Sequence, residues 1–291
     1  MLYPTELRAR VDGWRGIIYI GPGTGGKPRF PPGRRFGKFP DFTPGGIVLR
    51  PLLLLAAVVI SWPSAAPQTG EEVIRMMHSR YAGKWYRTAT FTQKTTLPDG
   101  KIETWYEALE VPAKLRIDIA PLAGRDVILF RNDSVYRYVG GEVKVARALV
   151  HPLLLLGFDV YGQAPEVTIG KLKGLGYDLG RAREGTWQGR KVWIVGAAAG
   201  DSTSKQFWVD QERLVYVRSL EPAVQKPGVT SEVQFNKYVR LGQGWIETEV
   251  LMLENGKVVV REEYRDMKPD VRLPAGLFEG GAYAAPGWVT E

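Results

Sequence analysis

Past residue 66 the chain alternates apolar and polar positions far more often than it repeats them every third or fourth residue. Leu115, Ile117 and Ile119 alternate with Lys114, Arg116 and Asp118, which predicts a half-buried strand with one face in water. Ile246, Val250 and Met252 share a face opposite Glu247 and Glu249, whose carboxylates are expected to be solvated. Turn signals punctuate the pattern at strand-length intervals: Pro98-Asp99-Gly100, Asn132-Asp133, Gly140-Gly141, Gln188-Gly189, Gly242-Gln243-Gly244 and Asn255-Gly256. About a dozen short strands follow, and the tight turns between them impose antiparallel order, since parallel neighbours need long crossovers.

Two segments depart from this period. Glu71 to Lys84 reads as an amphipathic helix, with Glu71 and Glu72 at its positive end and Val73, Met76, Met77 and Tyr81 at helical spacing. His151, Pro152 and the run Leu153, Leu154, Leu155, Leu156 are too apolar for a loop, and Pro152 suits the first turn of a short helix. Four consecutive leucines cannot all face one core from one short helix, which favours a lid over ordinary packing. The expected fold is mainly β: an incomplete, strongly curved antiparallel barrel with an N-terminal helix and a short helical lid.

Upstream, Arg50-Pro51, the apolar run Leu52 to Ile60, a break at Pro63 and the small residues Ser64, Ala65 and Ala66 form the pattern of a secretory signal. The run is too short to span a bilayer. Residues 48–66 are therefore read as a signal peptide, and residues 67–291 as a single exported domain. Residues 1–47 are Gly- and Pro-rich and lack apolar periodicity, which fits either a disordered leader or true initiation near Val48. Gly21, Gly23, Gly26 and Lys27 imitate a phosphate-binding loop, but Pro28 stands where Ser or Thr is needed and no helix can follow.

The leader also carries most of the charge. The chain has a net charge of +8, and residues 1–50 hold nine of 39 basic and three of 31 acidic residues, which leaves only +2 beyond them. No nucleic-acid footprint is expected in the domain. With no cysteine the domain has neither disulfides nor a site for a lipid anchor. It is expected to be soluble in the periplasm and held by its apolar core.

Enzyme signals are sparse. His78 and His151 have no partner at metal-ligand spacing. Ser79, Ser134, Ser202, Ser204, Ser219 and Ser231 lack the flanking glycines of a nucleophile elbow. Glu262 and Glu263, adjacent on a strand, point to opposite sides. No catalytic residue, metal or cofactor is expected.

The order of elements resembles the LolA-like family of periplasmic lipoprotein carriers and outer-membrane lipoprotein-sorting proteins. The resemblance runs from the first helix through Phe91-Thr92-Gln93-Lys94 and Asp99-Gly100, then Val111-Pro112, Leu115-Arg116, Pro152 with its apolar run, and Lys205-Gln206-Phe207 to Asp210. It implies an apolar barrel cavity for acyl chains, with an inner-membrane release complex and an outer-membrane acceptor as partners. On that reading the cavity and lid would be lined by Val73, Met76, Met77, Tyr81, Phe91, Leu115, Ile117, Leu153, Leu154, Leu155, Leu156, Phe207 and Trp208. The helix residues among these fit plain core packing equally well. Where the family carries a lid-coupling arginine this chain has Val111, and Arg116 is expected to be a salt-exposed strand residue. The same resemblance leaves a second function class open, a lipid-responsive envelope-stress regulator that holds an anti-sigma factor, although the tail from Gly280 is too short for the extra domain of such regulators.

Overall fold

The computed structural model describes residues 66–223 and 226–289. The leader and nearly all of the export signal read from the sequence, at residues 1–65, lie outside the described residues. Among the described residues no helix is long and apolar enough to cross a membrane.

The protein is mainly β, an open antiparallel sheet of thirteen strands with few helices. Strands β1 (Thr88–Thr96), β2 (Ile102–Glu110), β3 (Lys114–Ile119), β4 (Asp126–Arg131), β5 (Ser134–Val139) and β6 (Glu142–Ala148) form one meander. A second runs through β7 (Ala182–Trp187), β8 (Arg190–Val195), β9 (Gln206–Asp210), β10 (Tyr216–Pro222) and β11 (Thr230–Asn236). A small hairpin, β12 (Val239–Leu241) and β13 (Gly244–Ile246), precedes β14 (Glu249–Glu254) and the thirteen-residue β15 (Lys257–Pro269). β15 pairs with β14 on one side and β1 on the other and so joins the two meanders. The turn residues read from sequence take left-handed backbone where the tight turns demand it, as at Asn132, Asp133, Gln188, Asn255 and Gly256.

Helix α1 (Gly70–Tyr81) starts at a capping box, in which Thr69 accepts the Glu72 amide and the Glu72 carboxylate accepts the Thr69 amide. Its first residue must be small, because a Cβ on Gly70 would lie 2.3 Å from Val195 Cγ1. Between β6 and β7 come α2 (Pro152–Leu154), a π-helical segment π1 (Leu155–Asp159) and α3 (Val160–Gly162), in unbroken succession. A further helix, α4 (Pro165–Gly174), follows. Pattern reading missed α4: its apolar residues are few and scattered, and only Thr168, Ile169 and Leu172 are buried.

The outer face of β2 to β5 corrects one expectation. Arg116 and Asp118 do not stand in water; they are 4% and 2% exposed. Arg116 Nε and Nη2 donate to the two Asp118 oxygens at 2.8 and 2.7 Å, and its remaining N–H groups reach Leu277 O (3.1 Å) and Ala284 O (2.6 Å). The C-terminal tail lies over this face, with Leu277 and Phe278 packed on Ala108, Val127, Leu129 and Tyr138. Strand alternation is intact, but the side predicted to be wet is roofed by chain that is distant in sequence.

Removing one member of this pair leaves a buried charge unmatched. Arg116→Met should cost about 3–5 kcal/mol in urea unfolding, and adding Asp118→Leu should restore most of it. Equal stability of the single and double variants would mean that the guanidinium acts through its packing alone.

Candidate functional site

Alternation along the strands decides what faces inward. The ladder Ile117–Glu107–Phe91 crosses β3, β2 and β1, and Trp105–Gln93–Tyr264 crosses β2, β1 and β15. Phe130 on β4 and Phe235 on β11 line the same cavity, although they sit six strand spacings apart in the sheet order, about 29 Å if the sheet were flat. The sheet therefore curls strongly, and the cavity lies within the curl.

The cavity has a volume of about 70 Å³. Its walls are mostly apolar, with Phe91, Leu109, Leu115, Ile117, Val250 and Met252 from strands, and Leu153, Leu154 and Phe158 from the helical segment above. Gly157 lets that segment settle onto β11, since a Cβ there would stand 2.8 Å from the Phe235 ring. The segment is held at both ends. At its start the His151 imidazole caps it, accepting the Leu154 amide at 3.3 Å and standing edge-on to Phe130. At its end Tyr161 stacks on Trp85, with centroids 3.8 Å apart, and meets Tyr81 edge-on.

A third hold lies at the β2–β3 turn, beside Val111. The Asp159 carboxylate accepts the Ala113 amide at 2.8 Å, and Gly162 approaches Val111 so closely that a Cβ would meet Cγ1 at 2.5 Å. The contact between the β2–β3 turn and the helical segment is thus made by Asp159 and Gly162, with Arg116 committed to the tail on the other face.

Of the residues proposed from sequence, the structure brings Phe91, Leu115, Ile117, Leu153 and Leu154 to this cavity. Leu155 and Leu156 are buried within the helical segment, away from it. Val73, Met77 and Tyr81 form the buried stripe of α1, and Met76 is half-buried beside them. Phe207 and Trp208 lie on β9, Phe207 against Tyr177 and Trp208 under the Arg218 guanidinium. None of these six residues of α1 and β9 lines the cavity.

The polar residues were missed. Glu107, Glu262, Gln93 and Tyr264 line the cavity beside the apolar walls. The alternation that marks Leu109 and Phe91 as inward also marks Glu107 and Gln93, but acidic residues are rarely buried and pattern reading discounts them. Glu247 and Glu249 are likewise buried, contrary to the solvated face expected of them. The chain leaves the strand between Ile246 and Glu249, and the two acids meet different neighbours. Glu249 pairs with Lys237 and Arg261 at 2.8 and 2.6 Å. Glu247 lies near Tyr86, Tyr161 and Tyr238, with Oε1 unpaired among the described residues.

These environments shift the proton equilibria. Burial raises the Glu262 carboxyl to about 7, against hydrogen bonds from Tyr264 and Gln93. Glu107 is pushed well above the carboxylate range by burial and then by the charges of Glu262 and Glu247. Asp159 rises to about 7 through burial, opposed by the Ala113 amide and Lys171. Burial depresses His151 to about 4.

The sign follows from which state binds more protons. Between the ordinary carboxylate range and about 7, folded Glu262 and Asp159 hold protons that the unfolded chain has released, so stability falls as pH rises through that window. His151 works oppositely: its contribution is present above its ordinary value of 6.5 and is lost as pH falls toward 4. The acids outnumber it, so the thermal midpoint should drop between about pH 5 and about pH 8, and Glu262→Gln should flatten that drop. A midpoint that rises over this range would show that these carboxyls are ionised in the folded protein.

No family model matches the sequence, and no curated protein matches it. Among solved structures the chain is similar to a DUF1329 family protein from Desulfovibrio piger, with 14% identity and a TM-score of 0.47 over 72% of this chain and 96% of that one. A domain named for outer membrane lipoprotein sorting, from Vibrio parahaemolyticus, has 13% identity and a TM-score of 0.47 over 72% and 95%. A LolA superfamily protein from Nitrosomonas europaea has 13% identity and a TM-score of 0.44 over 73% of this chain and 98% of its own.

Proposed function

We propose that the protein is an exported, periplasmic carrier that shields acyl chains of lipoproteins or lipids in transit toward the outer membrane, received from an inner-membrane release complex and passed to an outer-membrane acceptor. The observation that carries this reading is the apolar cavity inside the curled sheet, covered by one short helical segment. A site of this kind needs no catalytic group. Each methylene removed from water contributes about 0.8 kcal/mol, so a long chain supplies on the order of 10 kcal/mol before the costs of association.

At about 70 Å³ the cavity holds a few water-sized groups, far less than an acyl chain. Loading therefore requires the cover to move. Its first half, Pro152 to Phe158, is the part over the cavity, whereas Tyr161 ties its last turn to Trp85 and α1. The segment swings about its C-terminal end, with α2 and π1 as the lid.

Filling the cavity tests this without touching the fold's polar contacts. Val250→Phe places a ring where the first methylenes would sit, and should reduce binding of a fluorescent fatty acid about ten-fold or more while leaving the thermal midpoint within a few degrees. Unchanged binding would place the acyl site elsewhere. Native mass spectrometry of protein from a Gram-negative periplasm should find bound lipid or lipoprotein; a persistently empty protein that also ignores fatty-acid probes would end the carrier reading.

A further inference from the structure

Carboxyl groups interrupt the apolar walls of the cavity, and their partners differ from those of four other buried acids among the described residues. Buried Asp118 is matched by Arg116, Glu232 by Arg218, Asp210 by Arg190, and Glu249 by Lys237 and Arg261. Inside the cavity no lysine or arginine lines the wall. Its one basic side chain is His151, whose imidazole is already engaged with the Leu154 amide. Glu262 accepts the Tyr264 hydroxyl at 3.1 Å. Glu107 is 3% exposed and has no hydrogen-bond partner among the described residues; across the ladders it faces Phe91 and Ile117.

An unmatched acid in an apolar enclosure is costly whether it stays ionised or is held neutral. A cation arriving with the ligand would remove that cost at both carboxyls together. Its chemistry is narrowed by the surroundings. No three His, Cys, Asp or Glu among the described residues are grouped to hold a metal ion, which leaves an organic cation. The cavity accommodates a compact head with its first carbons, and Phe130, Phe158 and Leu154 continue an apolar path for an attached chain.

We propose that the cavity is a head-group site for a primary ammonium carried on an alkyl chain, with its N–H groups donated to Glu107 and Glu262 and its chain running beneath the lid. This deepens the carrier reading and rests on it. Binding is non-covalent: the ammonium keeps its protons, and a carboxyl that was protonated releases its proton to solvent as the ion pair forms.

Titration calorimetry of the full chain with octylamine, octanoate and 1-octanol, each below its micelle-forming concentration, tests the idea. Octylamine should bind about ten-fold or more tightly than the other two. Repeating its titration in buffers of different ionisation enthalpy should reveal release of about one proton. Glu107→Gln with Glu262→Gln should bring the amine down to the level of the alcohol and abolish proton release; the two single variants, each expected to lose part of the preference, serve if the double variant does not fold. Equal affinity for all three ligands, or tighter octanoate, would overturn the ammonium site and leave the carrier standing. A preference that survives in the glutamine variants would overturn the assignment to these carboxyls, and binding of none of the three would overturn both readings.

Discussion

The ladder between β1 and β15 joins two meanders that share no other strand pairing. Its register sets Gln93 opposite Tyr264 and Thr95 opposite Glu262, which brings the inward residues of the two halves onto a continuous surface. A register shift between Thr90 and Thr92 sharpens the local twist and assists the curl. The partners lie some 170 residues apart in the chain, so the contact that creates the cavity is among the least local in the molecule, and such pairings form late because chain closure precedes their reward.

A curled sheet leaves two faces with different needs. The inner face is too narrow for a second sheet, and it is covered by α1 and the helical segment between the meanders. Over β2 to β5 the outer face is roofed by the C-terminal tail, which explains why Arg116 and Asp118 are buried and why the guanidinium satisfies two tail carbonyls as well as the carboxylate. The two coverings differ in strength. The tail adds two carbonyls for the Arg116 guanidinium and a cluster of large apolar side chains. Over the cavity the lid rests on a few apolar contacts and a histidine cap, and its far end is tied down by the Asp159 carboxylate on the Ala113 amide. Local opening favours the covering with fewer holds.

Local pattern revealed what is local. Period-two alternation and the turn dipeptides located the strands, and the acidic first turn with the 3.6 period located α1, because these signals are written within a few residues of where they act. What alternation cannot reveal is the identity of the medium on each side. Arg116, Asp118 and Glu247 occupy positions that a strand presents outward or at a strand end, and each is buried by chain that no window of sequence contains. Glu107 shows the converse: its inward direction is readable from Leu109 and Phe91 beside it, yet its acidity argues against burial. The five cavity residues anticipated from sequence are apolar, and those overlooked include all the acids. Helix α4 escaped because its buried side is too sparse to carry a period, and the π-helical turn because one added residue leaves no compositional mark.

Sequences normally agree with their folds at every level, and local exceptions concentrate where function demands them. Among the described residues Asp118, Asp210, Glu232 and Glu249 are buried with a cationic partner, whereas Glu107 and Glu262 on the cavity wall are buried without one, as are Glu247 and Asp159 elsewhere. Hydrophobic substitutes at these positions would pack against Phe91, Ile117 and Val250 without the penalty. An acyl-chain cavity alone has no use for carboxyls, since every methylene gains by meeting hydrocarbon. On the proposed reading the acids serve something polar that enters with the chain. The same penalty also works on the lid: a cavity floor that is poorly satisfied when empty weakens the closed, unliganded state relative to the loaded one, so that part of the affinity for a ligand comes from relieving the protein's own unmatched groups.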